Sequence, residues 1–203
     1  MVAKAEAHHT PHEFRPRDFV GGHPAIDFVN TVTARNTATP DDWLDSYATL
    51  LRWASLSDLA LPAVGAEVGQ GDAEAELRRC RTLREALHAT LASVQDDGPV
   101  PPKAALTLET SWRLAAAHAR LDLSTTPFRL RYDQDGPPLS VARRALAAAA
   151  VELLVDLPRE RLRTCPGERC GWMFLDVSKA GRRRWCDMAT CGTGAKNRRR
   201  ARP

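Results

Sequence analysis

The sequence predicts a mainly α-helical N-terminal domain with a small β-ribbon. A small α+β module follows, a β-hairpin plus a C-terminal helix that is treble-clef-like in outline. Three observations predict this. Apolar residues recur at helical spacing through most of the first 158 residues. Four of the five cysteines crowd into the last 39 residues as two C-x4-C pairs. The stretch between those pairs alternates in the manner of a strand.

The chain divides accordingly into a disordered tail over 1–16, a mostly helical domain over 17–158 and the small module with a basic tail over 159–203. The tail is polar and His-containing, with no apolar stretch of the kind a secretory signal carries. Residues 19–33 mix apolar and polar types without a clean period. Thr39, Pro40, Asp41 and Asp42 read as the N-cap and acidic first turn of a helix, which Leu44, Tyr47, Leu51 and Ala54 continue. A second short helix is expected over 57–61, then a Gly-containing linker over 62–71.

Residues 72–94 form the clearest amphipathic helix, with Leu77, Cys80, Leu83, Leu87, Leu91 and Val94 on one stripe. Cys80 lies within that stripe and reads as a small buried apolar residue. Residues 103–121 are expected to be helical, 128–132 to be a strand before an Asp135-Gly136 turn, and 140–157 a helix stopped by Pro158.

The cysteine pattern is Cys165-x4-Cys170, fifteen residues, then Cys186-x4-Cys191. Each short loop can turn two thiolates toward one point. A strand over 172–177, a turn over 178–181 and a return strand over 182–185 would bring the two loops together. Four thiolates suit one tetrahedral Zn²⁺ in a closed structural site. Two disulfides or free redox thiols are the alternatives. Trp172, Phe174 and Trp185 are the expected miniature core, and a module this small depends on its metal to fold.

Charge is uneven. Residues 159–203 hold 13 Lys and Arg against 4 Asp and Glu, while the rest of the chain holds 16 against 21. That suggests an anionic partner for the C-terminal end. Arg182, Arg183, Arg184, Lys196, Arg198, Arg199, Arg200 and Arg202 are the candidate nucleic-acid contacts. Lys196, Arg199 and Arg200 would share a face of a short helix. A solvated basic tail that binds polyanions unselectively is the plainer reading.

The motifs also resemble a known family. Phe-Val-Gly-Gly-His-Pro-Ala-Ile-Asp-Phe-Val-Asn-Thr from Phe19, Ala-Ala-Val-Glu-Leu-Leu before the module, and Cys-Gly-Trp-Met-Phe-Leu-Asp with Arg-Arg-Trp-Cys-Asp-Met-Ala-Thr-Cys-Gly within it are similar to the bacterial CGNR zinc-finger proteins. Those proteins pair an N-terminal ABATE domain with this module and are regarded as stress-induced transcription regulators. The resemblance maps the four family cysteines onto Cys165, Cys170, Cys186 and Cys191. The naming tetrad departs here, reading Cys191-Gly192-Thr193-Gly194. The resemblance also points to Asp27, Asn30 and Thr31 as a candidate ligand pocket, against the alternative of a buried polar network or helix cap.

The expected function is therefore a cytoplasmic DNA-binding regulator with one zinc ion. Its helical domain would sense a small-molecule effector or form a homodimer. The alternative is a zinc-dependent adaptor for an acidic protein. No catalytic motif is present, neither a P-loop, G-x-S-x-G, H-E-x-x-H nor a Gly-rich dinucleotide loop. No apolar run approaches the ~18 residues of a membrane span.

Overall fold

The computed structural model describes residues 11–59, 70–124, 126–132 and 137–201. In chain order it contains α1 (Pro24–Val29), β1 (Val32–Thr33), β2 (Asp41–Asp42), α2 (Tyr47–Leu56), α3 (Gln70–Gln95) and α4 (Pro102–Ala117). There follow β3 (Arg120–Asp122), β4 (Arg129–Arg131), α5 (Ser140–Val155), β5 (Leu162–Thr164), β6 (Met173–Leu175) and α6 (Thr193–Arg200). The strands pair as three antiparallel ribbons, β1 with β2, β3 with β4 and β5 with β6.

Helices α3, α4 and α5 pack on one another, with α1 laid against α3 and α5 and α2 against α3. The α3 stripe is buried as expected at Leu77, Cys80, Leu83, Leu87 and Leu91, with Val94 packed beside it. Truncating one of these leucines to Ala would cost about 2–5 kcal/mol. The Ala-rich face of α5, including Ala142, Ala147 and Ala150, is also buried. Small side chains there let neighbouring helices approach closely. No described helix is long and apolar enough to cross a membrane.

Several local expectations change. Thr39 does not cap a helix. Residues 41–42 are extended as β2, and α2 starts later, where the Ser46 hydroxyl accepts the Thr49 N–H at 3.1 Å. The reason is long-range. Asp42 is taken by the Arg84 guanidinium, with Nη1 to Oδ1 at 2.8 Å and Nη2 to Oδ2 at 2.7 Å. Those bonds hold Asp42 away from a first helical turn. Residues 57–59 form a bend, and 60–61 lie outside the described residues. Helix α4 stops at Ala117, since Arg120–Asp122 pairs with β4. The Asp135-Gly136 turn lies outside the described residues.

Of the tail over 1–16, residues 1–10 lie outside the described residues. Residues 11–16 pack against the domain. Phe14 is buried, and the His12 ring stacks on Trp43 with centroids 3.7 Å apart. His12 Nε2 also lies 3.1 Å from Asp18 Oδ2.

The hairpin of the module has a different partner from the one the alternation suggested. Strand β6 pairs with β5, which precedes the first cysteine, in the register Leu162 with Leu175 and Thr164 with Met173. Residues 182–185 form no strand. The other edge of β6 is occupied by the N-terminal segment. Leu175 N donates to Gly21 O at 2.8 Å. The Asn30 side chain makes two bonds with Met173, Nδ2 to the carbonyl at 2.8 Å and Oδ1 from the N–H at 2.9 Å. A return strand has no free edge to join.

Candidate metal centre

The first pair of cysteines grows out of the β5–β6 hairpin. Cys165 follows β5, and its N–H donates to Trp172 O at 2.7 Å, which closes the loop that carries Cys170. Gly171, the turn residue, has φ of 71°, a backbone conformation that glycine adopts without strain. It also lies against Arg35 and Asn36, where an added Cβ would come within 3.1 Å. Asn36 then holds the loop from outside. Its Nδ2 donates to Gly167 O at 2.7 Å, and its Oδ1 accepts the Cys170 N–H at 3.1 Å. Arg35 N donates to Cys170 O at 3.1 Å.

The second pair is carried by a capped turn. Asp187 Oδ2 accepts both the N–H and the hydroxyl of Thr190 at 2.8 Å. This starts a single π-helical turn over Met188–Gly192 that presents Cys191 and runs into α6. Thr193, at the departure from the family tetrad, donates from its hydroxyl to Met188 O at 3.1 Å and so continues the turn. Gly194 lies on α6 with Arg198 Nη1 3.4 Å from where its Cβ would stand.

Arg183 joins the two halves. Its backbone N–H donates to Asp176 Oδ2 at 2.8 Å, and its guanidinium stands 4.4 Å from the Phe174 ring centroid. Its Nη2 donates to Val20 O at 2.8 Å and to Cys186 O, and its Nε to Trp185 O at 3.1 Å. Sequence reasoning placed Arg183 with the candidate nucleic-acid contacts. The half-buried guanidinium is instead committed to the carbonyls of Val20, Trp185 and Cys186.

The four Sγ atoms of Cys165, Cys170, Cys186 and Cys191 all lie within 4.8 Å of one another. The Cys170–Cys186 and Cys186–Cys191 separations are both 3.6 Å. A disulfide would need ~2.05 Å, and the cysteines are free. Four sulfurs at ~2.3 Å from a tetrahedral zinc stand ~3.8 Å apart. The cluster fits one zinc ion. The loop is shaped to the sulfurs as well, since a Cβ on Gly167 would fall 2.9 Å from Cys191 Sγ.

Hydrogen bonds from Cys170 and Cys186 hold the Cys165 thiol far below its ordinary value. The hydrogen bond to Cys165 in turn pushes Cys170 and Cys186 up. Thiols this crowded cannot all ionise together unless a cation stands among them. Trp172 and Phe174 are buried against the cysteines, with Trp185 packed beside them.

Several exposed cations flank the last two ligands. Lys196, Arg199 and Arg200 are exposed on α6, as are Arg182 and Arg184 before Cys186. Arg184 stands 5.3 Å from the Trp185 ring centroid. Arg198 is exposed and reaches back to Glu168, with Nε 3.3 Å from Oε2. Arg202 lies outside the described residues.

Asp27, Asn30 and Thr31 are all buried and all bonded. Asp27 Oδ1 accepts the Gly21 N–H at 2.7 Å. Asn30 holds Met173. Thr31 Oγ1 donates to Phe28 O at 2.7 Å and accepts from Arg84 Nη1 at 3.0 Å. They belong to a polar seam between the helical domain and the module.

That seam continues into an ionic ladder that sequence reasoning missed. Arg84 reaches Asp42, Thr31 and Glu85. Glu85 accepts two bonds from Arg35, at 2.8 and 3.0 Å. Burial opposes ionisation of Asp42, but the hydrogen bonds and charge of Arg84 outweigh it and hold the carboxyl below its ordinary value. Burial likewise opposes ionisation of Glu85, and Arg35 and Arg84 together bring it down to about 2. The only sequence signal was a cluster of charges on the polar side of α3.

Two family models match the chain. The ABATE model, described as "Putative stress-induced transcription regulator", matches residues 22–157, and the CGNR zinc finger model matches residues 161–202. No curated protein matches the chain.

Proposed function

Since the chain belongs to the ABATE family of stress-induced transcription regulators and carries its CGNR zinc finger, we propose that it binds DNA through the zinc module and its exposed basic residues. The observation that carries this reading is the position of α6. The helix springs directly from the turn that presents Cys191, so its exposed Lys196, Arg199 and Arg200 are held by the metal site. Arg182, Arg184 and Arg198 add charge on the same module, and Arg202 extends the run. Adjacent arginines on a short helix suit phosphate contacts, which position a protein on the duplex without reading its sequence.

In this reading the zinc is structural. The sulfurs fill its coordination shell and leave no open position for substrate. The helical domain senses an effector or assembles the protein into a homodimer, and the protein works in the cytoplasm. The test is fluorescence anisotropy with a labelled duplex, comparing zinc-loaded with chelator-treated protein. Binding that needs zinc supports the proposal. Equal binding by both forms reduces the role of the tail to an unselective polycation, and no binding by either turns the basic face toward an acidic protein.

A further inference from the structure

The ABATE domain carries a cleft that the polar seam does not use. It has a volume of about 610 Å³ and opens between the start of α1, the outer face of α5 and strand β4. Sites for small organic ligands have volumes of ~300–1000 Å³. Its floor is Ala145, Ala148 and Ala149, whose small side chains on α5 leave the space open. Its walls include Phe128 and Tyr132. Phe128 is 64% exposed, a large apolar surface left to solvent at the mouth of a cleft.

Among the described residues the charged groups of the lining are of one sign: Asp58 and Glu152 line the cleft, with no Lys or Arg beside them. Among the described residues neither carboxylate is paired with a cationic side chain. His23 is the one basic group among the described lining residues. Burial lowers its pKa, with Glu152 pulling the other way. Its Nδ1 accepts the Ala25 N–H at 3.2 Å, which places its proton on Nε2.

We propose that this cleft binds a small organic cation with an apolar body, an amine or quaternary ammonium compound, with Asp58 and Glu152 flanking the charge and Phe128 and Tyr132 against the apolar part. Carboxylates attract the charge and disfavour an anion, and the aromatic faces and the alanine floor accept the apolar body. The proposal deepens the sensing role given above to the helical domain, but it does not depend on DNA binding. The cleft also lies at a telling place. Helix α1 begins at its edge with His23, and the same helix and its C-cap supply Asp27 and Asn30 to the seam that grips the module.

The experiment is isothermal titration of the full-length, zinc-loaded protein, without DNA, with benzyltrimethylammonium, phenylacetate and benzyl alcohol. Benzyltrimethylammonium is expected to bind ~10-fold or more tightly than either of the others. Asp58→Asn and Glu152→Gln are each expected to weaken it by ~2–5-fold and the double variant by more. Both side chains are exposed, so an unchanged melting temperature confirms that the variants fold. Phe128→Ala should weaken binding of the cation as well. Equal binding of phenylacetate or benzyl alcohol, no binding of the cation, or full affinity in the double variant would overturn the proposal. Because no nucleic acid is present, failure here leaves the reading of the basic face untouched.

Discussion

Asn30 and Met173 are 143 residues apart in sequence, yet the Asn30 amide pairs with both backbone polar groups of Met173 as a neighbouring strand would. One side chain at the end of α1 thereby completes the open edge of the zinc hairpin. Asn30→Ala leaves a buried N–H and a buried carbonyl without partners, at a cost of roughly 2–4 kcal/mol. Chemical denaturation should show that loss, and hydrogen exchange should locate it at β6. Asn30→Asp keeps the acceptor but loses the donor and should not restore stability. A change in Asn30→Ala below about 0.5 kcal/mol, the level of an ordinary surface substitution, would show that water replaces the amide.

Asp27 makes stability depend on pH. Burial lifts its pKa to about 7 from 3.8; the Gly21 N–H opposes this, Asp58 adds to it and Arg183 opposes it. The folded chain therefore keeps a proton that the unfolded chain has released. The contribution of this group is complete below about pH 3.8, falls as the pH rises and is lost above about pH 7. Asp27→Asn removes the titration and can keep the bond to Gly21. The stability of the variant relative to the parent should climb between pH 4 and pH 8 by on the order of 1–4 kcal/mol. A difference that stays constant over that range would contradict the assignment.

Removing the metal tests how the halves are joined. Purified protein should contain one zinc per chain, and Cys165→Ser should lose it. The module and the segments clamped to it, residues 20–22 and 35–36, should then exchange amide hydrogens quickly. Helices α3, α4 and α5 bury their own apolar faces and should keep their protection. Loss of helical circular dichroism across the whole protein would show that the seam, not the helical core, holds the fold.

The parts of the fold legible in the sequence were those with local signals. The cysteine spacing announced the metal cluster, and the leucines of α3 announced their stripe. The start of α2 was not legible. Thr39, Pro40, Asp41 and Asp42 look like a helix start, but Arg84, 42 residues further along, takes the carboxylate that would have served the first turn. The hairpin was half legible, because alternation identifies a strand and not its partner. The partner lay upstream of Cys165, and the other edge belonged to Gly21 and Asn30. The resemblance singled out Asp27, Asn30 and Thr31 as a candidate ligand pocket, and in the structure the three are buried and hydrogen-bonded within the protein. What Asn30 touches depends on a hairpin more than 140 residues away, which no local pattern encodes.

Arg183 and Arg184 are neighbours with opposite fates, and substitution separates them. Arg183→Ala removes bonds to the carbonyls of Val20, Trp185 and Cys186 and the stacking on Phe174, so it should lower stability by about 2–4 kcal/mol and weaken zinc retention. Arg184→Ala should change stability by less than ~0.5 kcal/mol. Thermal unfolding with a colorimetric zinc-release assay distinguishes them. Equal effects would contradict an interior role for Arg183.

Basic residues fixed by the zinc site are proposed to bind DNA phosphates. Salt titration of duplex binding, parent against the Lys196→Ala, Arg199→Ala, Arg200→Ala variant, distinguishes this role from a solvated tail. The variant should retain its zinc, because these side chains lie beyond the last ligand. Removing one cation from a phosphate should reduce the magnitude of the salt slope by ~0.9, so removing three predicts a drop of ~2.7, alike on matched and scrambled sequences. A zinc-loaded variant that binds DNA as tightly as the parent, with the same slope, would show that these residues do not contact DNA phosphates.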